Sequence, residues 1–325
     1  MKAFRFSEAN SGLELTEIAR AVPGPSEVLV EVKAAGLCHT DCVVMEDTTY
    51  GLIYQRPITL GHEVAGIIAE IGTEIEGYKI GDRIVCCLIC HPAADLNWHN
   101  IIGMGYDGGY AEFAIVKSAN VVRIPDGVTF AHAAVATDSV ATAYHAVTAE
   151  GSVGPEKTVA VIGLGGLGLS GVRIAALRGA VVYGVDLDTG KFAPAKEMGA
   201  TECASSLKEF QNIQFDVIFD FAGAGVTTSD AALAVRDGGK VVLVGLAAKS
   251  TTLDTHDMIT RRITVAGSVG ASKSDLEAVL ELIATKKFTP LTREIPFLHI
   301  PKGLAELNEG KVNGRLFTDP SLLRT

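Results

Sequence analysis

Three short stretches of this 325-residue chain carry side chains suited to a divalent metal ion. Cys38-His39-Thr40-Asp41 is the first, Gly61-His62-Glu63 the second and Thr137-Asp138-Ser139 the third. Thiolate, imidazole and carboxylate are all good zinc ligands, and three of them with one position left open is the pattern of a catalytic site. The three stretches lie far apart, so spacing alone suits a buried thiol, a hydrogen-bonded histidine and a helix-capping aspartate at least as well. Cys86, Cys87, Cys90, His91 and His99 form a further group, with Cys-Cys-Leu-Ile-Cys-His at its centre. It lacks the repeated two-residue spacing of a structural zinc site, which weighs against a second zinc.

A different chemistry is written between Val159 and Asp186. The apolar run Val159-Ala160-Val161-Ile162 leads into Gly163-Leu164-Gly165-Gly166-Leu167-Gly168, a helical segment through Arg178, a second apolar run Val181–Val185, and Asp186. Gly163 permits a tight turn out of a strand, Gly165 a close approach of backbone to a pyrophosphate, and Gly168 close packing of helix on strand. The amides and positive dipole at that helix start favour phosphate charge. Asp186 can accept both hydroxyls of an adenosine ribose and would repel a 2′-phosphate. This order of parts predicts a dinucleotide site, for NAD rather than NADP.

These groups need a frame. Residues 1–130 alternate short β-like runs with glycine-rich turns, and Glu27–Ala35 has the period-two alternation of a half-buried strand. Glu63–Ala69, Arg83–Ile89, Tyr110–Val116 and Val121–Ile124 read as further strands of a partly open β-barrel. From Thr129 to Gly151 the apolar period is helical. Strands at Thr158–Ile162, Val181–Val185, Glu202–Cys203, Val217–Phe219, Lys240–Val244 and Ile263–Ala266 then alternate with helices at Leu167–Arg178, Thr189–Met198, Leu207–Phe210 and Val226–Val235. Six strands with right-handed crossovers predict an α/β, Rossmann-type parallel sheet wound on both faces. A helix over Ser274–Thr285, capped by Ser272 or Ser274, is followed by Glu294–Phe297, Pro301–Glu309 and a strand Arg315–Phe317, which return to the first domain. The expected domains are 1–138 with 271–325, and 139–270.

The net charge of −10 argues against a nucleic-acid surface and an anionic membrane. No stretch is long and apolar enough to span a bilayer. Six cysteines in a chain of this length do not form a secreted disulfide framework, which points to the reducing cytoplasm.

Cys-His-Thr-Asp after a strand, Gly-His-Glu further on, Asp107-Gly108-Gly109-Tyr110-Ala111-Glu112-Phe113, Gly-x-Gly-Gly-x-Gly and Gly314-Arg315 together resemble the zinc-dependent medium-chain alcohol dehydrogenases. The match covers nearly the whole chain. It implies a GroES-like zinc domain and an NAD-binding Rossmann domain. It makes Cys38 and His62 zinc ligands, with Asp138 as the third, where the family usually has a second cysteine. Thr40 then hydrogen-bonds the substrate alcohol and Asp41 orients the ligand histidine. Glu63 approaches the metal or pairs with Arg315, which lies near the cofactor pyrophosphate. His39 meets cofactor phosphate, and Lys191 either meets the adenosine ribose or lies on the surface. The nicotinamide half falls to Thr142, Leu167, Val244-Gly245-Leu246, Ser268 and Val269. Tyr50, Tyr54 and Trp98 are placed at the substrate pocket.

One departure is chemical. Many relatives relay the proton to a histidine five residues after the first ligand, and that position is Val43 here. The implied activity is reversible hydride transfer between a primary or secondary alcohol and NAD, in a homodimer or homotetramer. Two rivals are a zinc-free enoyl or quinone reductase of the same superfamily and a non-catalytic NAD-binding sensor. Cys38, His62 and Asp138 together weigh against the first, and Thr40 beside them against the second.

Overall fold

The structure, a computed structural model, describes residues 1–46 and 51–324, with side chains through Leu322; Tyr50 lies outside the described residues. The chain forms two compact units, Met1–Ala141 with Ala271–Thr325, and Thr142–Gly270.

The first unit is β-rich. Its strands are β1 (Lys2–Phe6), β2 (Glu14–Glu17), β3 (Glu27–Leu37), β4 (Ile58–Thr59), β5 (Glu63–Ile71), β6 (Arg83–Cys86), β7 (Phe113–Lys117) and β8 (Val121–Arg123). The helices α1 (His39–Glu46) and α2 (Phe130–Val135) belong with them. β3 is the axis: it pairs antiparallel with β5 along most of its length and with β7 at its start. Its outward positions are half-buried at first, and from Ala34 to Leu37 every residue is buried. The strand therefore ends deep inside the unit, where Cys38 follows. Val30, Val32, Leu37, Val64, Ile68 and Ile84 supply the core around it.

The second unit opens within α3 (Ala141–His145) and holds β9 (Thr158–Ile162), α4 (Gly166–Leu177), β10 (Val181–Val185), α5 (Phe192–Met198), β11 (Glu202–Ala204), β12 (Phe215–Asp220), α6 (Val226–Ala234), β13 (Val235–Leu243), α7 (Thr255–Thr260) and β14 (Thr264–Gly267). The sheet order is β11-β10-β9-β12-β13-β14, all parallel. Counted within the unit this is 3-2-1-4-5-6, the Rossmann order. The chain then returns to the first unit through α8 (Lys273–Ala284), β15 (Thr292–Glu294), α9 (Ile300–Asn308) and β16 (Arg315–Thr318), and β16 pairs with the end of β3. Ser272 caps α8: its hydroxyl accepts from the Asp275 amide while the Asp275 carboxylate accepts from the Ser272 amide.

Several elements differ from the sequence pattern. The Arg83–Ile89 run is a strand only to Cys86, because the Cys87 amide turns to the Asn120 carbonyl and the Cys90 amide to the Ala271 carbonyl. Tyr110 precedes β7 rather than starting it, since its amide pairs with Leu60 instead. β13 begins at Val235, which pairs with Phe215 across an irregularity ahead of Lys240. The segment written as Glu294–Phe297 is the end of β15 followed by a short 3-10 turn, Phe297–His299. The small sheet β2-β1-β4 had no clear sequence signal.

Candidate functional site

Each metal-binding stretch is delivered by the end of an element. Cys38 follows the last residue of β3, and α1 starts at once, placing Thr40 and Asp41 in its first turn. His62 immediately precedes β5, whose first residue is Glu63. Asp138 lies in a π-helical stretch, Ala136–Val140, that continues α2. Such wide turns occur mostly at functional sites. The buried hydroxyls of Thr137 and Ser139 donate back to the carbonyls of Ala134 and Val135, each at 2.8 Å, and tie the wide turn to α2.

One ligand atom each from Cys38, His62, Glu63 and Asp138 lie within 4.8 Å of one another. Cys38 Sγ is 3.1 Å from Asp138 Oδ2, and His62 Nε2 is 3.8 Å from the same oxygen. His62 Nδ1 faces away from the cluster, 3.4 Å from Asp41 Oδ1. Thr40 Oγ1 lies 3.5 Å from Cys38 Sγ. Glu63 pairs with Arg315 of β16, whose Nη2 is also 3.6 Å from Asp138 Oδ2. Arg315 therefore sits in the first unit against two carboxylates of the cluster.

Electrostatics show a donor set in need of positive charge. Burial alone would lower the His62 pKa, yet Asp41, Asp138 and Cys38 around it raise it well above the ordinary histidine value. Burial would raise Asp138, but His62, then Arg315 and Cys38, hold its carboxyl well below the usual carboxylate range. Burial pushes Glu63 upward against the pull of Arg315. A protonated imidazole and a guanidinium thus balance the cluster, and Glu63 Oε2 is buried with no hydrogen-bond partner. Mixed sulfur, nitrogen and oxygen donors converging on one buried point fit zinc. Cys86 packs in the core of the first unit, and burial pushes the thiols of Cys87 and Cys90 up to about 12 and about 11. His91 is half-buried and His99 exposed.

In the second unit the glycine turn has three distinct environments. Gly163 adopts φ +86°, and a Cβ there would lie 2.9 Å from the Ala222 nitrogen. A Cβ on Gly168 would fall 1.7 Å from the Gly163 carbonyl oxygen, so α4 can leave β9 this closely only with glycine. A Cβ on Gly165 would meet no atom within 4 Å. That opening sits at the start of α4, just ahead of Gly166 and Leu167, where backbone amides point to an anion. Asp186 accepts the Leu164 amide at 2.7 Å and the Asp188 amide at 2.9 Å, and Lys191 Nζ reaches both its oxygens at 3.2 and 3.3 Å. Lys191 is therefore paired with Asp186 rather than loose on the surface.

The remaining expected cofactor residues are spread over ends of elements. Thr142 is buried in α3, and Val244-Gly245-Leu246 follows β13. Gly245 abuts the Ala222–Gly223 backbone, where a Cβ would come within 2.3 Å. Ser268, after β14, has a buried hydroxyl with no partner, and Val269 is exposed. An orphaned hydroxyl and an opening at a helix start fit a dinucleotide. His39 is exposed at the start of α1. Tyr54, 41% exposed, stacks obliquely on His99 with ring centroids 3.9 Å apart, and Trp98 packs on the core of the first unit.

Sequence reasoning passed over Tyr110. Its phenol donates to Asp41 Oδ2 at 2.7 Å, and the ring is fully buried. Burial, then Asp41, raises its pKa well above the ordinary value, so the proton stays on. The double glycine before it was the one signal in the chain.

Comparison with known proteins agrees with this geometry. Residues 24–126 match the alcohol dehydrogenase GroES-like domain, and residues 166–285 match the zinc-binding dehydrogenase domain. An NAD-dependent alcohol dehydrogenase of Saccharolobus solfataricus is 31% identical, over 97% of this chain and 99% of that protein. The alcohol dehydrogenase structure from Aeropyrum pernix superposes with a TM-score of 0.91 at 25% identity, covering 98% of this chain and 100% of that one. The cobalt- and zinc-bound thermostable alcohol dehydrogenase from Pyrobaculum aerophilum does so with a TM-score of 0.87 at 28% identity, covering 98% and 99%. Fold, paired domain matches and end-to-end similarity lead to one conclusion: the chain belongs to the zinc-dependent medium-chain alcohol dehydrogenases, NAD-dependent oxidoreductases acting on CH–OH groups.

Proposed function

We propose that Cys38, His62 and Asp138 hold a catalytic zinc, and that the chain interconverts a small primary or secondary alcohol and its aldehyde or ketone. The observation that carries this reading is the convergence of those three donors, with Glu63, within 4.8 Å. When bound, zinc supplies Lewis acidity toward the substrate oxygen and NAD accepts the hydride. The rest falls to the chain. Asp41 faces Nδ1 of His62 and leaves Nε2 for the metal, fixing the tautomer. Thr40 Oγ1, beside Cys38 Sγ, is placed to take the proton of a substrate hydroxyl. Val43 offers no base, so the proton leaves Thr40 by a route without a histidine there. Arg315 holds Glu63 as an ion pair beside the ligand set.

In the second unit Gly163, Gly165, Gly166, Leu167 and Gly168 receive the pyrophosphate, and Asp186 with Lys191 takes the adenosine ribose. Thr142, Val244, Gly245, Leu246, Ser268 and Val269 serve the nicotinamide half, and His39 and Arg315 the phosphates. On this reading the zinc domain is 1–138 with 271–325 and the NAD domain 139–270. Tyr54 and Trp98 belong to the substrate pocket. Free thiols at all six cysteines suit work in the cytoplasm, and assembly is as a homodimer or homotetramer.

The test is joint. Elemental analysis should find one zinc per chain in a preparation that reduces NAD with simple primary or secondary alcohols. Full turnover in metal-free protein, or one zinc with no turnover across an alcohol and carbonyl panel, would overturn the proposal.

A further inference from the structure

We infer that Tyr110, at the end of the Asp107-Gly108-Gly109-Tyr110 stretch, is a positioning residue for the metal centre: it clamps the turn that delivers His62 and fixes the carboxylate that orients it. The inference rests on Cys38, His62 and Asp138 being the zinc ligands.

Residues 107–110 run against 59–61, the segment leading into His62. The amides of Gly108, Gly109 and Tyr110 donate to the carbonyls of Thr59 (2.7 Å), Gly61 (2.7 Å) and Leu60 (3.0 Å). Asp107 Oδ1 accepts the Thr59 amide at 2.9 Å and is anchored by Arg5 at 2.6 Å. This approach needs bare backbone: a Cβ on Gly108 would lie 2.4 Å from the Gly61 oxygen, and one on Gly109 would lie 2.5 Å from Val64 Cγ2. The Tyr110 ring closes the clamp. Gly61 has φ +92°, and a Cβ there would come within 2.6 Å of that ring.

The hydroxyl reaches the other side of the site. It donates to Asp41 Oδ2 at 2.7 Å, with the Gly36 carbonyl a longer alternative at 3.3 Å. The Cys38 amide donates to the same carboxylate oxygen at 3.2 Å. With Oδ2 held by two donors, the carboxylate plane is set and Oδ1 faces His62 Nδ1 at 3.4 Å. Tyr110 touches no donor of the metal cluster through its hydroxyl; it acts through Asp41 and Gly61. Residues that orient a metal-ligating histidine typically contribute about 10–100-fold to metal affinity.

Tyr110→Phe keeps the ring and removes only the donor. Zinc affinity is measured by chelator competition on the full chain, beside Tyr106→Phe, which removes a phenol of the same core that has no hydrogen-bond partner. Y110F should bind zinc about 10–100-fold more weakly, Y106F like the parent, and the cobalt-substituted Y110F should show a shifted visible spectrum. Because Tyr110 acts through Asp41, adding Y110F to Asp41→Asn should cost little more than D41N alone. That pair also serves if Y110F alone does not fold, since removing both buried partners is gentler than orphaning one. Parental zinc affinity in Y110F, or a further tenfold loss on the D41N background, would overturn the inference. A parent chain that binds no zinc would instead remove the ligand assignment beneath it.

Discussion

Asp138 is the residue on which the metal centre departs from the commoner pattern of its family. It supplies oxygen where a second thiolate is usual, and it is held ionised by His62, Arg315 and Cys38 despite burial. Removing it should do more than delete a ligand, because His62 and Arg315 would lose the charge they share. Asp138→Ala should lower zinc affinity by more than the ~10–100-fold expected for a merely supporting residue. Asp138→Cys should keep the zinc, since thiolate is an equally acceptable donor. The softer donor sends more electron density to the metal and makes it less acidic, so the pH profile of alcohol oxidation in D138C should move upward. Zinc content after dialysis against a chelator, with the pH profile, checks both. An alanine variant that keeps its full zinc would take Asp138 out of the ligand set.

Among the elements, the glycine turn separates binding from folding. Gly168 is filled by the Gly163 carbonyl and Gly165 by nothing in the protein. Gly168→Ala should cost about 1–3 kcal/mol by overpacking the β9–α4 join. Gly165→Ala, at ordinary φ, should stay within ~1 kcal/mol of the parent yet weaken NAD about tenfold or more, because the methyl enters space meant for phosphate. Urea unfolding and NAD calorimetry read the two effects separately; a G165A chain binding NAD as the parent does would deny that opening to the cofactor. Nearby, Asp216 ties three strands: it accepts the Thr158 amide of β9 at 2.9 Å and Arg236 of β13 at 2.9 and 3.0 Å. Burial works against its ionisation, but these donors and Lys157 leave its pKa lowered. A lowered folded-state pKa gives stability present above the ordinary aspartate range and lost as pH falls through the folded value. Asp216→Asn should therefore cost about 1–2 kcal/mol at pH 7, with the gap to the parent closing in acid urea titrations. An equal gap at both ends would refute the linkage.

Across the whole molecule, the legible parts were those with a strong local period or a fixed order. The alternation of Glu27–Ala35 marked the axial strand, and strand, glycines, helix and acid marked the nucleotide turn. The short strands β1, β2 and β4 left little pattern, and the π-helical stretch at Asp138 looks like any amphipathic helix in sequence. Tyr110 was invisible as a functional residue because its partners, Gly61 and Asp41, meet it only in the fold. Cys38, His62 and Asp138 were likewise distant in sequence, and the family resemblance, not spacing, joined them. What the folded molecule adds is that every donor of the metal cluster lies in the first unit, while the glycine turn, Asp186 and Lys191 lie in the second. Zinc then stabilises the native chain by mass action, by about 4 kcal/mol when free metal is a thousandfold above its dissociation constant. For a domain of 150–250 residues that is a rise in Tm of roughly 10 °C. Chelation should therefore lower Tm by about that much and stoichiometric zinc should restore it, with calorimetric NAD binding to the turn retained throughout. If unfolding resolves into two transitions, zinc should move one of them and NAD the other. A Tm indifferent to zinc would show that the cluster is held together without a metal, by the imidazolium and guanidinium charges alone.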